Sequence, residues 1–231
     1  MAAPAFEAAG AAVVDILASA DIAAPEGTAA GKLVLVTMFL DGDALTVTPA
    51  AGFTAAEGIP SQITGVSGSH SLYVWWKRLT GADLGPYTFS WGTDRYVETF
   101  STLYNNVVAS GTPFDSPTDT AQDTANDTVT PAVDVTSLGP DRLLVWGGTN
   151  WAGGAWTQPT SFASRYNTAG VVSLADRSWP TAGNSGPVTG TCTGSDKRTA
   201  WLGAMIGTTG GAAAAASPPS RRPGMGALLQ L

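Results

Sequence analysis

Apolar residues along this chain either alternate with polar ones or form short unbroken runs, and each run is closed by Gly, Pro, Asn or Asp. No stretch sustains a 3.6-residue period, so the pattern predicts strands and turns rather than helices. The predicted strands are AAVVDIL (11–17), KLVLVTMFL (32–40), ALTVTPA (44–50), LYVWWKRL (72–79), PYTFSW (86–91) and YVETFSTLY (96–104). They continue with AVDVT (132–136), RLLVWGGT (142–149), VVSLADR (171–177), GPVTGTC (186–192) and TAWLGAMIG (199–207). Short strands at this spacing predict an all-β, jelly-roll-like antiparallel sandwich.

The chain also echoes itself. KLVLV at 32–36 returns as RLLVW at 142–146, LYVWWKR at 72–78 as VSLADRS at 172–178, and GPYTFSWGTDR at 85–95 as GPVTGTCTGSDKR at 186–198. The order is the same both times, which predicts a two-fold pseudo-repeat within one sandwich spanning 1–207. The halves are 32–107 and 142–207, joined by a crossover loop at 108–141. The Thr-, Asp- and Pro-rich stretch 110–131 reads as surface loop. From Thr208 the chain becomes low in complexity and ends in Leu228, Leu229 and Leu231, with Arg221 and Arg222 between prolines. That composition predicts an extended C-terminal arm, 208–231, which takes its order from a neighbouring subunit.

Composition narrows the chemistry. A formal charge of −7, from 11 Lys and Arg against 18 Asp and Glu, argues against a nucleic-acid partner, whose phosphates need clustered cations. The amino-terminal stretch lacks a basic region ahead of its apolar runs, and the longest later run, LVLVTMFL at 33–40, is a strand's length. Neither a signal peptide nor membrane insertion is expected. One cysteine, Cys192, rules out an intrachain disulfide and a multi-cysteine zinc site.

Candidate catalytic groups do not complete a constellation in the sequence. The lone histidine, His70, sits in the Ser/Gly turn GVSGSH without a GxSxG elbow. Glu98 and Asp94 are the one carboxyl pair with glycosidase character, and Asp94 falls in a predicted turn. The series Asp115, Asp119, Asp123 and Asp127 lacks the spacing of a calcium loop and reads as a solvated acidic loop. We therefore expect no catalytic, metal or cofactor-binding residues.

Aromatic residues remain. In LYVWWKR, Leu72, Val74 and Trp76 share one strand face, while Tyr73 and Trp75 share the other. Aligned on the repeat, Tyr73 and Trp75 fall on Ser173 and Ala175, so a shared core does not account for them. Together with Trp151 and Trp156 of the Gly-rich NWAGGAW they form the candidate contact surface, for a subunit or for a sugar ring. Packing beneath a loop is the competing explanation.

The succession KLVLVTMFLDG, TVTPAAGFTA, SLYVWWKRLTG, YTFSW, DRLLVW and VVSLADRSW resembles a lectin-like β-sandwich module of minor tail proteins in tailed phages of high-GC bacteria. TPAAGFT at 48–54 keeps Pro49, Gly52 and Thr54 of a "TPPAGWT"-like turn and places Phe53 where the family has Trp. The resemblance spans roughly 20–207 and brings no catalytic residues. It implies a structural virion protein assembled in the host cytoplasm, a homo-oligomer among other virion subunits that contacts a host cell-surface glycan. A capsid decoration protein of the same fold and a carbohydrate-binding module are the alternatives.

Overall fold

The computed structural model describes residues 2–43, 45–81 and 83–208. Regular structure there is entirely β: β1 (Ala5–Ala9), β2 (Val13–Ile22), β3 (Leu33–Asp41), β4 (Thr54–Ala55), β5 (Ser61–Ile63), β6 (His70–Arg78), β7 (Tyr87–Asn105) and β8 (Asp119–Val129). Then follow β9 (Thr136–Ser137), β10 (Arg142–Asn150), β11 (Trp156–Thr157), β12 (Ala163–Tyr166), β13 (Val172–Trp179), β14 (Gly183–Asn184) and β15 (Thr191–Ile206). The predicted arm, with Arg221, Arg222, Leu228, Leu229 and Leu231, lies outside the described residues apart from Thr208.

Two antiparallel sheets carry the fold. In the first, β1 and β2 lie end to end along β7, followed by β3, β6, and then β4 and β5. In the second, β8 and β11 flank β15, followed by β10, β13 and β12. The spatial order β2-β7-β3-β6-β4 therefore has the same connectivity as β8-β15-β10-β13-β12. Register agrees as well: Val34 faces Lys77 where Leu144 faces Arg177, and Val36 faces Trp75 where Trp146 faces Ala175.

Three features differ from the sequence reading. The repeated unit reaches further than 32–107 and 142–207, because β2 and β8 are matching outer strands. The 108–141 crossover is accordingly not loop throughout, since its polar stretch forms β8 against β15. Apolar periodicity misses this strand because it borders the sheet and most of its side chains are exposed. GTDR at 92–95 and TGSDK at 193–197 are also not turns: β7 and β15 run through them as single bent strands. Gly92 adopts φ +80°, and a side chain on Gly194 would fall on the carbonyl of Gly153, so glycine permits the bends. Conversely, ALTVTPA contributes one bridge, Thr48 to Ser90, instead of a strand.

Three buried layers result. Leu33, Leu35, Phe39, Leu72, Val74 and Phe100 meet Leu143, Val145, Val172, Leu174, Trp201 and Met205 between the sheets. Each sheet buries its outer face too, under its own loops and curled strand ends: Val34, Val36, Met38, Tyr73 and Phe89 in the first, Leu144, Trp146, Trp156 and Leu202 in the second. Burial on both faces is why Leu33–Leu40 is apolar except at Thr37, which is itself buried. Each such Val, Leu or Phe contributes about 1.5–3 kcal/mol.

Candidate functional site

Tyr73 and Trp75 belong to the outer core of the first sheet. Their rings stack at 6.3 Å and 9°, Trp75 lies 6.0 Å from Phe89, and the Tyr73 hydroxyl donates to the Leu45 carbonyl at 2.7 Å. The 45–53 segment covers them, and Tyr73 is 2% exposed. The repeat explains why the aligned positions looked empty. In the second half the corresponding space is filled from the neighbouring strand, by Trp146 on β10 opposite Ala175. Gly148 and Gly190 leave room for that ring. Both halves thus use one tryptophan per pair of strands, and a comparison of single positions cannot see an exchange across the ladder.

Trp156 is likewise core: its indole N–H donates to Gly170 O at 3.0 Å and its ring meets Trp146 edge-on. The expected contact surface of Tyr73, Trp75, Trp151 and Trp156 is therefore not assembled, because the first, second and fourth pack into separate outer cores. Trp151 alone of these lines an open cleft.

That cleft, about 320 Å³, is bounded by Phe39, Asp41, Tyr96, Trp151 and Val171 at one end of the layer between the sheets. The loop after β10 closes it, bringing the Trp151 ring within 5.9 Å of Phe39 on β3. Phe39 stacks on His70 at 4.9 Å, and His70 lies 6.3 Å from Trp151, giving the tryptophan a rigid aromatic floor. Gly68 makes this approach possible, since a Cβ there would press on the Trp151 ring.

His70 is fully buried at the start of β6. Its Nδ1 lies 2.9 Å from the Gly68 carbonyl, which can only accept, so the proton sits on Nδ1. Nε2 then accepts from the Thr149 hydroxyl at 2.9 Å, and Thr149 in turn meets Thr199 at 2.8 Å. Burial lowers the His70 pKa from 6.5 to about 4, so it is neutral and holds β6 against β10. Its one basic nitrogen is occupied.

Glu98, 1% exposed on β7, is engaged in the same way. Tyr166 and Thr168 hydroxyls donate to Oε1 at 2.9 and 3.1 Å, and the Val171 N–H donates to Oε2 at 2.7 Å. Tyr166 stacks on Phe100 at 3.8 Å, and a side chain at Gly170 would fall on both Glu98 oxygens. Glu98 thus pins the loop after β12 to the opposite sheet. Asp94 is exposed four residues earlier on the same strand, about 13 Å away by strand rise, beyond the separation a glycosidase pair uses.

The acidic series is not a solvated loop. Asp115 forms a buried two-pronged pair with Arg142 at 2.8 and 3.2 Å, and Asp123 meets the buried Arg198 at 2.7 Å. Asp119 accepts from the Asp134 N–H at 2.7 Å. Among the described residues, no three His, Cys, Asp or Glu side chains converge as metal ligands.

Asp41 is the polar group of the cleft, and partial burial pushes its carboxyl upward against the pull of Arg95. Aromatic walls beside one hydrogen-bonding carboxyl suit a ring with an apolar face and hydroxyl edges. Sequence reasoning found Trp151 but missed Phe39, Asp41 and Tyr96, whose signal was an acidic residue closing an apolar strand (MFLDG) beside an aromatic on the next (RYVE). Compared with protein-family models, curated proteins and solved structures, the chain finds no match in any of the three.

Proposed function

We propose that this chain is a structural virion subunit, of the minor tail or tail-tip kind, whose aromatic cleft contacts a host-surface glycan. The observation that carries the glycan reading is the cleft itself: Trp151 on a fixed floor of Phe39 and His70, with Tyr96 and Asp41 beside it. The non-catalytic reading is supported by how the reactive groups are used, since His70 and Glu98 both spend their polar atoms tying the sheets together. A rigid sandwich that invests its polar side chains in cohesion suits a particle component, and the resemblance to phage tail modules points the same way.

Two measurements test the reading. Particles reconstituted with tagged chain should carry it at a defined position, and the isolated chain should bind glycans of the host surface on an array. Trp151→Ala should reduce that binding about tenfold while incorporation continues. Failure to incorporate would refute the virion assignment, and glycan binding indifferent to Trp151 and Asp41 would refute the cleft.

A further inference from the structure

The opposite end of the layer between the sheets holds a second opening, about 370 Å³, walled by Trp76 and Phe114. Trp76 pairs with Leu35 near the start of β3, whereas the Trp151 cleft lies at Phe39 and Asp41, at its end. Trp76 is partly buried, and Phe114 is fixed edge-on against Trp201 at 5.2 Å. By strand alternation Trp76 shares the inner face of β6 with Leu72 and Val74. The structure packs it against the core and leaves part of it in this groove.

The groove's rim has a consistent chemistry. Ser116 donates its hydroxyl proton to Glu57 Oε2 at 2.7 Å, Thr118 to the Glu57 carbonyl at 2.6 Å, and Thr112 to the Phe114 carbonyl at 3.2 Å. A hydroxyl has one proton and two lone pairs, so each has spent its donor within the protein and offers acceptors outward. The Glu57 carboxylate adds more acceptors. Its position is set by backbone bonds from Ala56 N to Val74 O and from Ile59 N to Ala56 O, and by the Trp201 indole donating to Glu57 O at 3.4 Å. Residues 54–57 come from the first half and 112–118 from the crossover, so the groove exists only where the two meet.

A ligand for such a rim must offer several donors over a short span and turn an apolar face to an aromatic wall. We propose that the groove binds a neutral pyranose, with vicinal hydroxyls donating to Glu57 and to the Ser116 and Thr118 oxygens beside Trp76. Anionic sugars are disfavoured by Glu57 and by the chain's charge of −7. This site shares no residue with the Trp151 cleft and goes beyond the function proposed for it.

Saturation-transfer NMR and titration calorimetry test it, using the full chain with the methyl pyranosides of glucose, mannose and galactose at millimolar concentrations and glucuronate as the anionic control. At least one neutral pyranoside should bind and glucuronate should not. Glu57→Ala, at an exposed position that leaves the fold intact, should weaken binding about tenfold. Trp76→Phe, which keeps an aromatic core contact, should weaken it less, and both effects should persist in a Trp151→Ala background, where the cleft's own contribution is removed. Absence of binding by all three neutral sugars, equal binding of glucuronate, or affinity unaffected by Glu57→Ala would overturn the proposal. Binding abolished by Trp151→Ala alone would also overturn it, while leaving the cleft's assignment standing.

Discussion

Replacing Glu98 with Gln asks how much the buried carboxylate contributes to joining the two sheets. It receives three hydrogen bonds from the second half of the molecule. A hydrogen bond to a charged group contributes about 1.5–3 kcal/mol net and a neutral one about 1. Gln can direct its oxygen to the Val171 N–H, whose direction is fixed, while its NH₂ donates to the Tyr166 and Thr168 hydroxyls, which can rotate. All three contacts survive in neutral form, so the loss is the charge assistance alone, about 0.5–2 kcal/mol per bond; because the three bonds share one carboxylate charge, the total lies near the low end, about 2–3 kcal/mol. For a chain of this size that corresponds to a fall in Tm of about 5–10 °C. Glu98→Ala also leaves the Val171 N–H without an acceptor and opens a void, so it should cost about 4–5 kcal/mol. Urea unfolding followed by circular dichroism measures both. If Glu98→Gln changes stability by less than about 0.5 kcal/mol, the carboxylate is not a structural pin.

His70, the lone histidine, gives a single imidazole signal whose NMR titration should show a pKa near 4. Its folded value lies below the ordinary 6.5, so its contribution is complete above about pH 6.5 and is lost as pH falls towards 4. The full loss is about 3 kcal/mol, and it should be missing from the pH profile of His70→Gln. A measured value above 6 would contradict the buried neutral tautomer. Asp115→Ala strands the Arg142 guanidinium in a dry site and should destabilise by about 3–5 kcal/mol in urea melts. A loss under 1 kcal/mol would mean that water reaches the pair.

Much of the architecture could be read before the fold was known. Apolar runs of strand length located β3, β6, β10 and β13, because burial on two faces leaves few polar positions to interrupt them. The echo of KLVLV and RLLVW anticipated the shared register, down to Lys77 matching Arg177. The edges were harder. β8 reads as loop because a strand bordered by solvent on most sides needs no apolar alternation, and its acidic residues find Arg198 from a distant part of the chain. The long bent strands read as pairs of strands, since glycine and aspartate signal turns and bends alike.

The aromatic residues mark where sequence ends and tertiary structure begins. Local pattern alone determined which face of β6 each side chain would take, for strand geometry alternates regardless of context. It could not determine what covered each face. Trp75 became core because the 45–53 segment folds over it, and Trp76 became a groove wall because the crossover at 112–118 stops short of burying it. Likewise the Trp151 cleft depends on three elements far apart in sequence, β3, β7 and the loop after β10. Composition and periodicity fix a side chain's direction because both are set within a few residues. Whether that direction ends in solvent, in a cleft or in a packed core depends on chain segments a hundred residues away, whose placement only the complete set of contacts decides.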